Sequence, residues 1–177
     1  MTPDQPRPGV RLRNLNEDDL ALYEAIHCDP EMMEHLGGPL PWEGLADKLH
    51  RDVAATAADE YWVLVIVLKD DDRPAGTVSV WRHEGHRHPV EEIGWMVLPE
   101  FQGRGIGTAA VRSVIERARV TGRWTELHAF PPVANEGSNA MARRMGFTLV
   151  GTGDYEFRGR RLRCNDWSLC LTGAPHP

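Results

Sequence analysis

Between Glu91 and Val120 the chain reads E-E-I-G-W-M-V-L-P-E-F-Q-G-R-G-I-G-T-A-A-V-R-S-V-I-E-R-A-R-V. No other stretch restricts the fold as strongly. Ile93, Trp95 and Val97 alternate with Gly94, Met96 and Leu98, a pattern that predicts a largely buried strand. Pro99 has no N–H and ends the ladder. Gln102-Gly103-Arg104-Gly105-Ile106-Gly107 then places glycine at alternate positions, where the missing Cβ lets a ligand approach the backbone. A helix follows, and its first N–H groups have no internal partners. Together with the helix dipole they make an anion site. The stretch therefore predicts an α/β domain that receives an anion where strand meets helix.

The anion is not identified by the commonest glycine motifs. There is no G-x-x-x-x-G-K followed by Ser or Thr, so the turn is not a P-loop. A dinucleotide fingerprint needs a third glycine where Thr108 stands, and an acid at a strand end where Glu126 instead precedes its strand. Charge adds direction. Residues 1–100 hold 20 acids and 9 Lys or Arg, whereas residues 101–177 hold 6 acids and 11 Arg. The basic part begins at the glycine turn, which suits a polyanionic ligand there and a cationic one facing the first hundred residues. A net charge of −6 with only two lysines argues against non-specific nucleic-acid binding.

With 177 residues, 41% of them hydrophobic, the chain can bury its own core. We expect one domain over residues 10–171, with tails at 1–9 and 172–177. No apolar run approaches the ~18 residues of a membrane span. The first residues are polar and proline-rich, without a signal-peptide apolar region. Cys28, Cys164 and Cys170 have neither metal nor disulfide spacing, which fits a reducing, cytoplasmic setting.

The remaining elements follow from period and punctuation. Val10, Leu12 and Leu15 suggest a first strand. Asn16 caps a helix Asp18–His27 that turns Leu20, Tyr23, Ala25 and Ile26 inward. A short helix is expected over Pro30–Leu36, and a longer one over Trp42–Ala57. Tyr61–Leu68 and Ala75–Trp81 read as a hairpin. His83–Pro89 reads as a polar loop. Leu127–Phe130 is a short strand, Asn135–Met145 a helix, and Phe147–Val150 and Trp167–Leu171 the final strands. The order predicts an α/β (α+β) domain with a mixed, mostly antiparallel sheet of six to seven strands.

At this point the residues resemble the GNAT superfamily of N-acyltransferases. Gln102, Gly105 and Gly107 match its Gln/Arg-x-x-Gly-x-Gly/Ala signature, V-L-P-E-F precedes the turn, and N-E-G-S-N-A-M-A-R-R-M-G-F is similar to its asparagine-led helix ending in Gly-Phe. The resemblance covers roughly Val10 to Leu171. It implies helices on both sheet faces and a splayed central pair of parallel strands with acetyl-CoA in the wedge. It also implies that backbone N–H groups of Gln102, Gly103, Arg104, Gly105, Ile106, Gly107 and Thr108 hold the pyrophosphate. The strand edge at Met96, Val97 and Leu98 would pair with the pantetheine arm. Asn135 and Ser138 would touch the pantetheine or thiol end, and Arg104 and Arg143 are candidates for phosphate contacts. The implied partners are acetyl-CoA and an amine acceptor, with no nucleic acid, membrane or metal, and with homodimer formation left open.

Acyl transfer to an amine sets three needs. The ammonium, titrating near ~10.4, must lose a proton. The thioester oxygen needs donors, and the thiolate must leave. Glu92, two residues before Gly94-Trp95, is the candidate base, whereas Glu91 points to the other sheet face. The N–H of Val97, or of Leu98 if a bulge shifts the register, is the candidate oxyanion donor. Many family members carry a tyrosine seven residues after the asparagine; here that position is Ala142, so the motif assigns no general acid, and Tyr155 could approach from the C-terminal hairpin. A thiol of pKa near ~8.5 can leave without an acid. His83, His86 and His88 with Glu84 have the density of a metal site but the wrong spacing for a zinc protease, and are read as loop residues or as the rim of the acceptor mouth. Trp42 and Trp81 are candidates for the rim of the acceptor cleft. Asp29, Glu31, Glu34 and Glu43 form an acidic segment that would attract a cationic amine. We expect an acetyl-CoA-dependent N-acetyltransferase working by direct transfer in a ternary complex, favouring a small primary amine over a protein N-terminus or lysine. A catalytically silent acyl-CoA-binding module is the alternative.

Overall fold

A computed structural model describes residues 9–84 and 88–172. Seven strands form one sheet: β1 Val10–Asn14, β2 Trp62–Leu68, β3 Pro74–His83, β4 Val90–Val97, β5 Glu126–Ala129, β6 Thr148–Phe157 and β7 Arg160–Cys170. Their spatial order is β1-β2-β3-β4-β5-β7-β6. Every pairing is antiparallel except that of β4 with β5. The helices are α1 Leu20–His27, α2 Leu45–Ala57, α3 Ile106–Thr121 and α4 Glu136–Arg144. Among the described residues no helix is long and apolar enough to cross a membrane.

The core forms where apolar patterns meet. All seven residues of β2 are buried, as expected of a central strand covered on both faces. Val78 and Val80 of β3, Ile93 of β4, and Ala110, Val111, Val114 and Ala118 of α3 join the same cluster. The sheet therefore gains most of its hydrophobic stabilisation on the β1–β4 side, at roughly 25 cal/mol per Å² of apolar surface removed from water. β4 departs from the expected burial. Only Val90 and Ile93 of its eight residues are buried, and Gly94–Val97 are half exposed.

Local chemistry explains the other departures. Asn16 accepts from the Asp18 N–H, and the Asp19 carboxylate accepts from the Asn16 N–H, so a capping box starts a 3-10 turn at Glu17–Asp19 before α1. That extra turn rotates the helix. Leu20 is left 41% exposed, and Leu22 takes the inward place expected of it. The expected helix at Pro30–Leu36 is reduced to turns and a 3-10 segment at Glu34–Leu36, because Asp29 caps the Met32 N–H and Gly37 and Gly38 take left-handed backbone. Gly44 is left-handed as well, so α2 begins at Leu45 and Trp42 remains outside it. β6 and β7 run through the whole of Thr148–Cys170 as one long hairpin, where the sequence suggested only short terminal strands.

Candidate active site

The sheet opens where β4 and β5 part. These parallel strands share a single register pair, Glu92 with His128. On its other edge β4 is fully paired with β3, and the Leu98 N–H donates to the Ala75 carbonyl at 2.9 Å. Backbone groups alternate along a strand. Leu98, Met96 and Gly94 thus face β3, whereas Val97 and Trp95 turn their N–H and C=O toward the gap. This corrects two expectations: the Leu98 N–H is already engaged, and the polar backbone of Met96 faces the wrong edge for an added chain. Val97 keeps the predicted orientation. Its carbonyl accepts from Gln102 Nε2 at 2.8 Å, which ties the end of β4 to the turn.

The turn itself divides the labour among its glycines. Gly103 (φ 70°) and Gly105 (φ 75°) are left-handed, a conformation that costs other residues about 1–2 kcal/mol. Gly105 is the N-cap of α3 and supplies no capping side chain, which leaves the first-turn donors of Ile106, Gly107 and Thr108 uncapped by side chains. The Gln102 N–H is bonded to the Pro99 carbonyl at 3.2 Å and is withdrawn from the expected set. Gly107 serves packing: a Cβ there would lie 3.0 Å from Met141 Cε and 3.1 Å from Val97 Cγ2. Thr108 places its hydroxyl 3.4 Å from Met141 Sδ. Arg104 and Arg73 both lie over the Phe101 ring, at 5.8 and 5.1 Å, adding positive charge beside the turn.

Asn135 and Ser138 meet at the start of α4, where Asn135 Oδ1 accepts from the Ser138 N–H at 3.0 Å. This is an N-cap, so one role of the pair is structural. The residue that sequence reading missed is Asn139. It is buried, donates to the carbonyls of Pro132 and Asn135, and accepts from Asn165 Nδ2 and Trp167 Nε1. α4 is thereby locked to β7 and to the loop after β5. Arg143 lies over the Trp167 ring at 5.6 Å.

The candidate base has a partner that the sequence did not reveal. Glu92 Oε2 lies 2.6 Å from His83 Nδ1, with both side chains mostly buried. β3 extends two residues beyond its expected end, which turns His83 from a loop residue into the last residue of a strand adjacent to β4. Burial pushes the Glu92 carboxyl above the ordinary carboxylate range, with His83 pulling it down in part. The Glu92 hydrogen bond raises His83, against its own desolvation. His83 Nε2 is buried and has no hydrogen-bond partner, a situation that ordinarily costs about 1–3 kcal/mol. The ring sits 5.1 Å from Phe130 and 6.3 Å from Tyr155. Tyr155 packs 4.8 Å from Phe130, so the long hairpin does bring it to this group.

A second carboxylate–imidazole pair faces the first. His128 Nδ1 lies 2.7 Å from Asp166 Oδ1, and both residues are buried. That hydrogen bond raises the His128 pKa against desolvation. Cys164, behind Glu92, is pushed up to about 11 by burial first and by the Glu92 charge second. The chemical capacity of the cluster is proton transfer: two imidazoles and two carboxylates meet at the vertex where the strands separate.

Other expected features lie elsewhere. Ala142 is fully buried in α4, and no tyrosine replaces it on that helix. Trp42 is 71% exposed, and Trp81 packs over Gly94, where a Cβ would come within 2.8 Å of its Cη2. His86 lies outside the described residues. Among the described residues no group of three or more His, Cys, Asp or Glu could hold a metal ion. A polar cavity of about 270 Å³ opens at the starts of β4 and β5, away from the glycine turn, with His88, Glu91, Glu126 and His128 among its walls.

A mixed sheet parted after one parallel pair, with an open strand edge and an uncapped helix start at the mouth of the gap, can receive an extended ligand that carries an anionic group. Residues 10–148 match the family model described as "Acetyltransferase (GNAT) domain". The chain belongs to the GNAT acetyltransferase family, whose acyl donor is acetyl-CoA. Solved structures agree on the fold. A GNAT-family acetyltransferase from Bacillus anthracis superposes with a TM-score of 0.79 at 13% identity, over 95% of this chain and 98% of the other. RimL, a ribosomal L7/L12 alpha-N-protein acetyltransferase in complex with coenzyme A, gives 0.78 at 21% identity, over 93% and 96%. The microcin C7 self-immunity acetyltransferase MccE, in complex with acetyl-CoA and AMP, gives 0.75 at 22%, over 91% and 92%.

Proposed function

We propose that this chain is an N-acetyltransferase that moves the acetyl group of acetyl-CoA directly to an amine in a ternary complex. The observation that carries the reading is the mostly buried Glu92 carboxylate at the vertex of the opened strands, paired with His83 and lying on the strand whose Val97 N–H faces the gap. The pyrophosphate is received by the backbone donors of Gly103–Thr108, with Arg104 and Arg73 beside them. The pantetheine amides pair with the Trp95–Val97 edge of β4 as an added strand would. Asn135 and Ser138 border its thiol end from the start of α4.

Each step then has a group to perform it. Glu92 accepts the proton of the ammonium, and the neutral nitrogen attacks the thioester carbonyl. The Val97 N–H donates to the oxygen as charge develops there. The C–S bond breaks, and the departing thiolate takes up the second proton that the nitrogen loses, leaving the free CoA thiol and the neutral acetylated amide. No cysteine is needed in between: Cys164 has its thiol held protonated by burial, Cys28 caps the end of α1, and Cys170 is exposed at the end of β7.

The acceptor we favour is a small primary amine. The Phe130 and Tyr155 rings pack beside His83, the partner of Glu92, which suits a narrow, unbranched aminomethyl end. A protein N-terminus, the acceptor named for RimL, is second. The test is a thermal shift with acetyl-CoA, combined with CoA-thiol release across small amines and N-terminal peptides at pH 8.5. Saturating acetyl-CoA, at 100 times its Kd, should add about 2.7 kcal/mol of stability, and small amines should release thiol. Stabilisation without release from any amine would identify a silent acyl-CoA-binding module. No stabilisation at all would overturn the reading.

A further inference from the structure

We infer that His83 is a positioning residue for Glu92, holding one carboxylate oxygen so that the other faces the amine. The inference rests on Glu92 as base in the proposed acetyl transfer. The geometry is one-sided. Nδ1 of the imidazole is committed to Glu92 Oε2 at 2.6 Å, and Nε2 is closed from water and has no partner. The ring is thus too enclosed to meet the amine itself, and among the described residues its single polar contact is Glu92. An apolar ring would pack against Phe130 and Tyr155 without leaving a nitrogen orphaned. What the imidazole adds over such a ring is the donor aimed at the carboxylate.

The surroundings show why Glu92 needs it. Desolvation drives this carboxyl toward its neutral form, in which it cannot take a proton. Among the described residues, the groups that act against desolvation are His83 on β3 and, at longer range, His128 on β5. His83 in turn feels Glu92, Asp166 of β7 and Glu84 next to it in the chain. Cys164 on β7 faces Glu92 as a neutral thiol. Arg82 does not compete, because it is turned to Glu84 and Glu91. His83 is the only one of these groups in direct hydrogen-bond contact with Glu92 among the described residues.

Two substitutions separate positioning from packing. His83→Phe keeps a ring against Phe130 and Tyr155 but removes the donor. His83→Asn places an amide N–H near the position of Nδ1 and cannot titrate. For His83→Phe we expect the acid limb of kcat/KM to move up by about one to two pH units, with activity at pH 7 reduced by roughly tenfold or more and recovering toward pH 9. The KM for acetyl-CoA stays unchanged. For His83→Asn the limb stays within about half a unit of wild type, since a donor remains. A carbon-13 NMR titration of labelled glutamate reads the Glu92 carboxyl directly and needs no turnover, so it tests the positioning role even if no amine is accepted. The same upward shift should appear there in His83→Phe and be absent in His83→Asn. An unshifted Glu92 in His83→Phe would overturn the inference. So would a His83→Asn variant as impaired as His83→Phe, because the imidazole would then be the base itself.

Discussion

His128 Nδ1 and Asp166 Oδ1 meet at 2.7 Å between adjacent strands, inside the sheet and next to the vertex of the gap. The pair raises the His128 pKa above the value of about 6.5 expected for an unfolded chain. A group raised on folding contributes stability that is fully present below the unfolded value and lost as pH climbs through the folded one. Asp166→Asn should therefore cost about 3 kcal/mol at pH 6, where an ion pair is broken. At pH 9 it should cost less, about 1.5 kcal/mol, where a neutral imidazole loses its hydrogen bond to a carboxylate and gains one to an amide oxygen. Urea unfolding at the two pH values measures the difference, and equal costs would mean that His128 does not change charge between them.

Gly76 takes φ 153°, and an added Cβ would stand 2.0 Å from the Met96 carbonyl oxygen. No rotamer change relieves that contact, because the obstacle is backbone. Gly76→Ala should lose about 3 kcal/mol and push β4 outward at the residues that border the gap. A larger loss of acetyl-CoA affinity than of stability would show the displaced edge, measured by calorimetry on the folded variant at low temperature.

Asn139 joins α4, β7 and the loop after β5 through four hydrogen bonds of one side chain. Asn139→Ala leaves the Trp167 N–H and the Pro132 carbonyl without this partner in a buried setting, at a cost of about 3 kcal/mol. For a chain of this length that is a fall of roughly 6–12 °C in Tm. Scanning calorimetry would show it, and a fall below about 3 °C would mean that water takes over these bonds.

Tyr155 reaches the Phe130–His83 group from the hairpin, whereas Ala142 fills the helix position at which the family resemblance implies a tyrosine. A thiol with pKa near 8.5 departs as thiolate unaided. Tyr155→Phe should hence keep kcat within about threefold, and Tyr155→Ala should lose about tenfold through the ring contacts that orient His83. A Tyr155→Phe variant as slow as Tyr155→Ala would instead assign the hydroxyl as the proton donor.

The strand, turn and helix at Glu91–Val120 were legible because their signals are local: an alternating period, a proline stop, left-handed glycines and a helical stripe. Glu92 could be picked out by its offset from Gly94-Trp95, and the α4 cap by Asn135. The partners of Glu92 could not. His83 was read as a loop residue because polar residues follow Trp81, and only the β3–β4 register carries the strand to it. His128 and Asp166 are 38 residues apart and meet by strand order alone. The length of the β6–β7 hairpin was hidden for another reason: residues 151–163 are mostly polar and exposed, so period 2 carries little apolar contrast there. A single backbone hydrogen bond, Leu98 to Ala75, decided which β4 residues present their amides to the gap.

That gap has a consequence for cooperativity. Strands β1 to β4 are neighbours in chain order, β5 to β7 form their own antiparallel group, and one residue pair joins the two along the ladder. The ladder thus has a seam, which one shared apolar core including Ile93, Leu127 and Trp167 spans and along which opening is easiest. A thioester arm lying along β4 with its carrier between the strands would act as mortar across that seam. Slow hydrogen exchange would then spread from β2 and β3 into Trp95 and Val97, and the halves would unfold as one unit when the cofactor is bound and in sequence when it is not.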